Sequence, residues 1–207
     1  MLRRFLIEEA AQKLSAFLNR EAVFKRICGL YDNSSQYGNI SDVTEGEWLG
    51  AEESRRFYRF GEYEAVRDEC QSSANFTTFQ GFLTLIRTTQ FKIFVECISG
   101  LSFGPTPLIN AYSYGTGDFL ALHSDNVKDK RMSFVFYLTP SWERRFGGVL
   151  HMAGTQDATL EIEPEYNSLA IFDVTARTEH HITPVETCAG ALTRATISGW
   201  FMTPEVD

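Results

Sequence analysis

The sequence predicts a mainly β protein with N-terminal helices: a double-stranded β-helix, or jelly roll, with the helices packed on one outer face. Three observations carry this expectation. From Pro105 onward, short β-branched and aromatic segments alternate with turn residues at intervals of about ten positions, the texture of a sandwich or barrel. Eight such segments occur, near 107–114, 118–124, 132–139, 148–152, 158–162, 168–173, 180–185 and 194–202, and eight is the strand number of a jelly roll. Ahead of them, the first hundred residues place their apolar side chains mainly at helical spacing.

Taken in order, Leu2, Phe5, Leu6, Leu14, Phe17 and Leu18 form a first helical stripe. Residues 31–62 are rich in Asn, Ser, Gly and acidic side chains and read as an irregular excursion. Phe79, Phe82, Leu83 and Ile86 make a second helical stripe, and Phe91 to Ile98 a short helix closed by Ser99-Gly100. In the β half, Arg194, Thr196, Ser198 and Trp200 share one strand face, as do Asn110, Tyr112 and Tyr114. Polar and aromatic side chains lining one side of such apolar strands predict a ligand cavity in the barrel mouth.

The 207 residues suit a single domain over 1–207, with 1–104 as helical support and substrate-loop region and 105–203 as the barrel. A net charge of −8 disfavours general nucleic-acid binding, because no basic face meets the phosphates, and is compatible with a basic protein substrate. Cys28, Cys70, Cys97 and Cys188 form no CxxC pair and read as reduced thiols. No apolar run approaches the roughly 20 residues of a membrane span. Glu8 and Glu9 stand where a signal peptide would need its apolar segment. The expectation is a cytoplasmic protein, monomer or homodimer.

His123-Ser124-Asp125 is the most informative triplet. Residues i and i+2 of a strand point the same way, so both side chains share a face. The third ligand is His180 or His181, which face opposite sides of their strand. Two imidazoles and one carboxylate can occupy one face of an octahedral ion and leave the other open, the arrangement of non-haem Fe(II) oxygenases. Arg194, fourteen positions after His180, could hold the far carboxylate of a dicarboxylic co-substrate. Asp125 fills the coordination slot a chloride would need, which favours hydroxylation over halogenation. His151, between apolar neighbours in VLHM, should face away from the core as an exposed strand histidine.

The stretch YSYGTGDFLALHSDNVKDKRMSFVFYLTPSWERRFGGVLHM and the ending HHITPV…TRATISGWF resemble the 2-oxoglutarate/Fe(II) oxygenases of the prolyl-hydroxylase type, over about residues 105–203. The similarity is greatest to the branch that hydroxylates a proline of a ribosomal protein. The DVTARTEHHITPV segment is also similar to small bacterial oxygenases of free amino acids, a halogenase branch included. The resemblance implies His123, Asp125 and His180 as iron ligands, with His181 at the flank. It implies Arg194 in a bidentate pair with the C5 carboxylate of 2-oxoglutarate, and Thr196 and Tyr137 beside that carboxylate. Tyr112 or Tyr114 would lie near the iron, and Trp200 would wall the pocket. O₂ is the second co-substrate, ascorbate a supporting reductant, and an amino acid, peptide or protein the substrate. Selection would fall to residues 31–62 and the loops 126–130 and 141–147. The rivals are a desaturase or halogenase of small molecules, and a cupin-like metal isomerase or non-catalytic binding barrel. The last leaves Arg194 and the RATISGWF strand without a role.

Overall fold

A computed structural model describes residues 1–32, 39–105, 107–125, 129–153, 159–174 and 179–204. In chain order the elements are β1 (Leu2–Arg3), α1 (Glu8–Ala16), β2 (Ala22–Tyr31), β3 (Ile40–Val43), α2 (Glu45–Gly50), β4 (Arg56–Val66), α3 (Ala74–Ile86) and α4 (Thr89–Ser99). The barrel strands follow: β5 (Leu108–Tyr114), β6 (Phe119–Ser124), β7 (Lys130–Tyr137), β8 (Leu150–Ala153), β9 (Thr159–Ile162), β10 (Ser168–Asp173), β11 (Glu179–Ile182) and β12 (Arg194–Met202). All eight segments expected from the sequence are strands, within a few residues of the expected bounds.

The strand order is that of a jelly roll. β10, β7, β12 and β5 lie side by side as one antiparallel layer, and β6, β11, β8 and β9 form the other. β4 joins the layers, pairing with β5 at Gly61 and Glu62 and with β6 at Tyr58 and Arg59. The β2–β3 hairpin extends the sheet beyond β4. Even-numbered residues of β7 (Met132, Phe134, Phe136) and odd-numbered ones of β12 (Ala195, Ile197, Phe201) point outward to the helices. There they meet Leu14, Phe17, Phe79, Phe82, Ile86, Phe91 and Val95 in the largest apolar core. The helices thus cover one outer face, and the inner face of the same strands is free to line a cavity.

The N-terminal half departs from its helical expectation. Leu2–Arg3 is a strand paired with Leu169 and Ser168, and the first helix starts only at Glu8. Asn167 ties down the intervening backbone: Leu6 N–H donates to its side-chain oxygen, and its amide donates to the Leu6 carbonyl. β2 and β4 are long strands, so neither the mainly helical reading of the first hundred residues nor an irregular 31–62 holds. The physical reason is that β4 carries apolar side chains on both faces, interspersed with charged ones. Phe60 packs into the cavity-side core while Tyr63 and Val66 pack toward the helices, which leaves no clean alternation to read. The stripes of α3 and α4 are as expected, with Thr88 capping α4 at one end and Gly100 closing it in the left-handed conformation.

Candidate metal and co-substrate site

β6 and β11 are antiparallel neighbours, and their register sets His180 directly opposite His123. The HxD spacing carries Asp125 to the same face just past the end of β6. One ligand atom from each of His123, Asp125 and His180 lies within 4.8 Å of the other two. His123 Nε2 is 3.8 Å from Asp125 Oδ1, and His180 Nε2 is 3.6 Å from Asp125 Oδ2. Asp125 and His180 are buried. The ring of Phe57 stands edge-on to His123 and that of Phe172 to His180.

The electrostatics suit a cation. Burial, with the neighbouring His180, pushes the His123 pKa down to about 4, so at neutral pH its ring carries a lone pair rather than a charge. With the ring proton on Nδ1 donated to the Ala121 carbonyl 3.0 Å away, Nε2 is the free donor atom and points at Asp125. Burial alone raises the Asp125 carboxyl, but the surrounding imidazoles, Lys130 and the Trp200 indole outweigh it and hold the group below its ordinary value. Trp200 Nε1–H donates to Asp125 Oδ2 at 2.8 Å. Two imidazoles and one carboxylate are the donor set of a facial Fe(II) site.

The three groups line a cavity of about 250 Å³, walled by Tyr112, Tyr114, Leu150, Thr196, Ser198 and Trp200 among others. Arg194 lies on this cavity, only 2% exposed. Among the described residues no carboxylate pairs with it, and its Nε has no hydrogen-bond partner. Its guanidinium instead sits 5.0 Å from the ring centres of both Tyr114 and Tyr137. A buried cation without an anion is costly, so the geometry fits an anionic ligand that arrives from outside. The buried Tyr137 hydroxyl also lacks a partner, although Tyr137 lies beside Arg194 rather than on the cavity wall. Burial raises the Tyr137 and Tyr114 phenols, with Arg194 opposing, and pushes Tyr112 up to about 12, so all three are neutral donors.

The WxxxxGG turn makes room for Arg194. Gly148 has φ +66°, and a Cβ there would stand 2.8 Å from Arg194 Cδ. Trp142 Nε1–H fixes the turn by donating to the Gly147 carbonyl at 3.0 Å. The YGTGD turn is held in a comparable way. Asp118 is fully buried, takes Gly115 N–H at 2.8 Å and Arg59 Nε at 2.8 Å, and pairs with Arg26.

Of the two candidate histidines, His180 faces the cavity and His181 does not. His181 stacks on His151 across the outer side of the sheet, with ring centres 4.8 Å apart. His151 is therefore half-buried against a second ring, not the exposed strand residue expected. His123, Asp125, His180, Arg194, Thr196, Tyr112, Tyr114 and Trp200 all meet at one cavity. Lys130 and the β4 residues Phe57, Tyr58 and Phe60 also line it; they fall within the segments 126–130 and 31–62 expected to select substrate, but none was singled out from the sequence. The aromatic density of RFYRFGEY was the available signal for β4. Residues 126–128 of the expected 126–130 substrate loop lie outside the described residues. No described helix is long and apolar enough to cross a membrane.

Comparison with known proteins gives a family likeness and a shared fold. Residues 109–202 match the model of the 2OG-Fe(II) oxygenase superfamily. Prolyl 3-hydroxylase OGFOD1 of Mus musculus is 30% identical over 122 residues, which cover 56% of this chain and 22% of that protein. Prolyl 3-hydroxylase sudestada1 of Drosophila melanogaster is 34% identical over 100 residues, or 42% and 18%. The chain thus spans about a fifth of the length of the curated relatives it matches. A prolyl hydroxylase from Trichoplax adhaerens, solved with a peptide fragment of the hypoxia inducible factor oxygen degradation domain, superposes with TM-score 0.58 at 14% identity, covering 97% of this chain and 81% of that one. A prolyl-4-hydroxylase of Pseudomonas putida gives 0.53 at 20%, covering 70% and 73%. These solved structures share the fold of this chain, and residues 109–202 are similar to the 2OG-Fe(II) oxygenase superfamily.

Proposed function

We propose that this chain is an Fe(II)- and 2-oxoglutarate-dependent hydroxylase that acts on a prolyl residue within a peptide or protein. The observation that carries the reading is the pairing, in one cavity, of a three-donor cluster with a buried guanidinium that has no carboxylate partner among the described residues. His123, Asp125 and His180 hold the iron. Arg194 grips the far carboxylate of 2-oxoglutarate through its planar fork, and the neutral hydroxyls of Thr196 and Tyr137 stand ready beside that carboxylate. Iron and 2-oxoglutarate, when bound, supply the O₂-dependent oxidation of a C–H bond, with succinate and CO₂ as co-products. The chain's own part is to orient and to exclude water: Phe57, Tyr112, Phe172 and Trp200 wall the cavity, and β6 and β11 fix the ligands on paired strands. Residues 105–203 act as the catalytic core and 1–104 as its support.

The prolyl assignment is supported by the relatives matched above, whose names specify prolyl hydroxylation. The test is substrate-stimulated turnover. Purified protein with Fe(II), ascorbate and 2-oxoglutarate should release succinate faster when proline-containing ribosomal-protein peptides are added, and a peptide should gain one oxygen on proline. Stimulation by free amino acids with no response to any prolyl peptide would move the substrate to the small-molecule class. No succinate under any condition would leave a binding barrel.

A further inference from the structure

We infer that Lys130 is a built-in counter-cation for Asp125, one that a divalent ion must displace, and that it thereby sets the metal affinity of the candidate site. The inference rests on the proposed reading of His123, Asp125 and His180 as metal ligands. Lys130 breaks the alternation of β7. Met132, Phe134 and Phe136 face the helices, and Ser133 and Val135 face the cavity, so parity would turn residue 130 toward the helices. Yet Lys130 lines the cavity.

The register between β7 and β12 explains the change of face. It runs without a break from Thr196↔Tyr137 to Phe201↔Met132, then slips so that Met202 pairs with Lys130 and Arg131 has no opposite number. A bulge of this kind re-aims one side chain. Asp129, at φ +73°, immediately precedes the strand, and its carbonyl accepts Thr203 N–H at 2.7 Å, which fixes the start of β7. The backbone is thus built to turn Lys130 inward.

Its target is specific. Lys130 Nζ lies 3.3 Å from Asp125 Oδ1 and 3.6 Å from the centre of the Trp200 ring. Trp200 Nε1–H holds the other oxygen, Oδ2. Asp125 is the one carboxylate among the described residues that line the cavity, and Oδ1 is the oxygen nearer His123 Nε2. An ammonium and a divalent ion compete for that oxygen, because two cations on one carboxylate oxygen repel each other. The flexible four-carbon stem of lysine lets the ammonium leave, and the indole face gives it a second attractive contact.

The experiment titrates Mn(II) into the chelator-treated full chain of wild type, Lys130→Met and Lys130→Arg. Loss of a half-buried ion pair worth about 1 kcal/mol should tighten Mn(II) binding to Lys130→Met by roughly fivefold to tenfold. Lys130→Arg keeps the charge and should bind like wild type. A lysine that only braces β7 would alter the melting temperature and leave the Mn(II) affinity where it was, which would overturn the inference. Weaker binding by Lys130→Met would do the same. Failure of wild type to bind Mn(II) would sink the metal-site reading as well, whereas tight wild-type binding without tightening in Lys130→Met would sink this inference alone. Should Lys130→Met not fold, lysine-labelled wild type serves: its Lys130 Cε resonance must shift when Zn(II) saturates the protein, and an unmoved resonance would refute displacement.

Discussion

Replacing Arg194 with methionine separates a ligand-binding cation from a structural one. The guanidinium is 2% exposed, and its Nε lacks a partner. Holding such a charge away from water costs several kcal/mol, and the two tyrosine rings return at most about 1–2 kcal/mol each. Methionine fills similar space with no charge to desolvate. Without 2-oxoglutarate, Arg194→Met should therefore be at least as stable as wild type and up to about 2 kcal/mol more stable, a rise in melting temperature of up to roughly 6 °C for a domain of this size. With Mn(II) and 2-oxoglutarate the order reverses. Wild type gains two charge-assisted hydrogen bonds worth about 1.5–3 kcal/mol each, and the variant gains neither, so its co-substrate affinity should fall by a factor on the order of 10² to 10⁴. Thermal melts in chloride buffer, with and without 2-oxoglutarate, read both halves. A variant that is clearly destabilised without 2-oxoglutarate yet keeps a wild-type stabilisation by it would refute the reasoning, because Arg194 would then be a structural residue.

His123→Ala, Asp125→Ala and His180→Ala should each abolish substrate-dependent succinate release while the circular dichroism spectrum persists. His181→Ala, on the outer side of the sheet, should keep turnover, and its loss of activity would mean that the ligand histidine was wrongly chosen. The metal-free protein should lose stability on acidification. The His123 pKa is held at about 4 against 6.5 in the unfolded chain, so as pH falls between those values the unfolded state binds the proton first. Up to roughly 3 kcal/mol should disappear between pH 6.5 and 4. Urea midpoints at pH 7 and pH 5 check it, and His123→Asn should flatten the profile. Gly148→Ala should cost about 1–3 kcal/mol from its positive φ and displace Arg194, raising the 2-oxoglutarate requirement. An unchanged requirement in a folded Gly148→Ala protein would show that the turn does not shape the Arg194 site.

The eight barrel strands and the HxD pair were legible because period-two patterning and turn residues are local properties of the chain. The inward sets Arg194-Thr196-Ser198-Trp200 and Tyr112-Tyr114 followed from the same alternation. β2 and β4 were not legible. Charged and apolar residues are interspersed on both strands rather than sorted to alternate positions, so no clean period of two marks either one, and for β4 only its place between the two layers and the helices shows why apolar side chains point both ways.

The sequence by itself determined which residue types could meet: two histidines and an aspartate for a cation, an arginine for a carboxylate, and the strands that carry them. Tertiary structure decided which way each one points. His180 rather than His181 faces the cavity because β11 pairs with β6 in one register, and a shift by a single residue would exchange them. Lys130 reaches Asp125 because a bulge seen only in the pairing of β7 with β12 reverses its face. Alternation fixes which residues share a side, but pairing with a neighbouring strand is what turns that side inward.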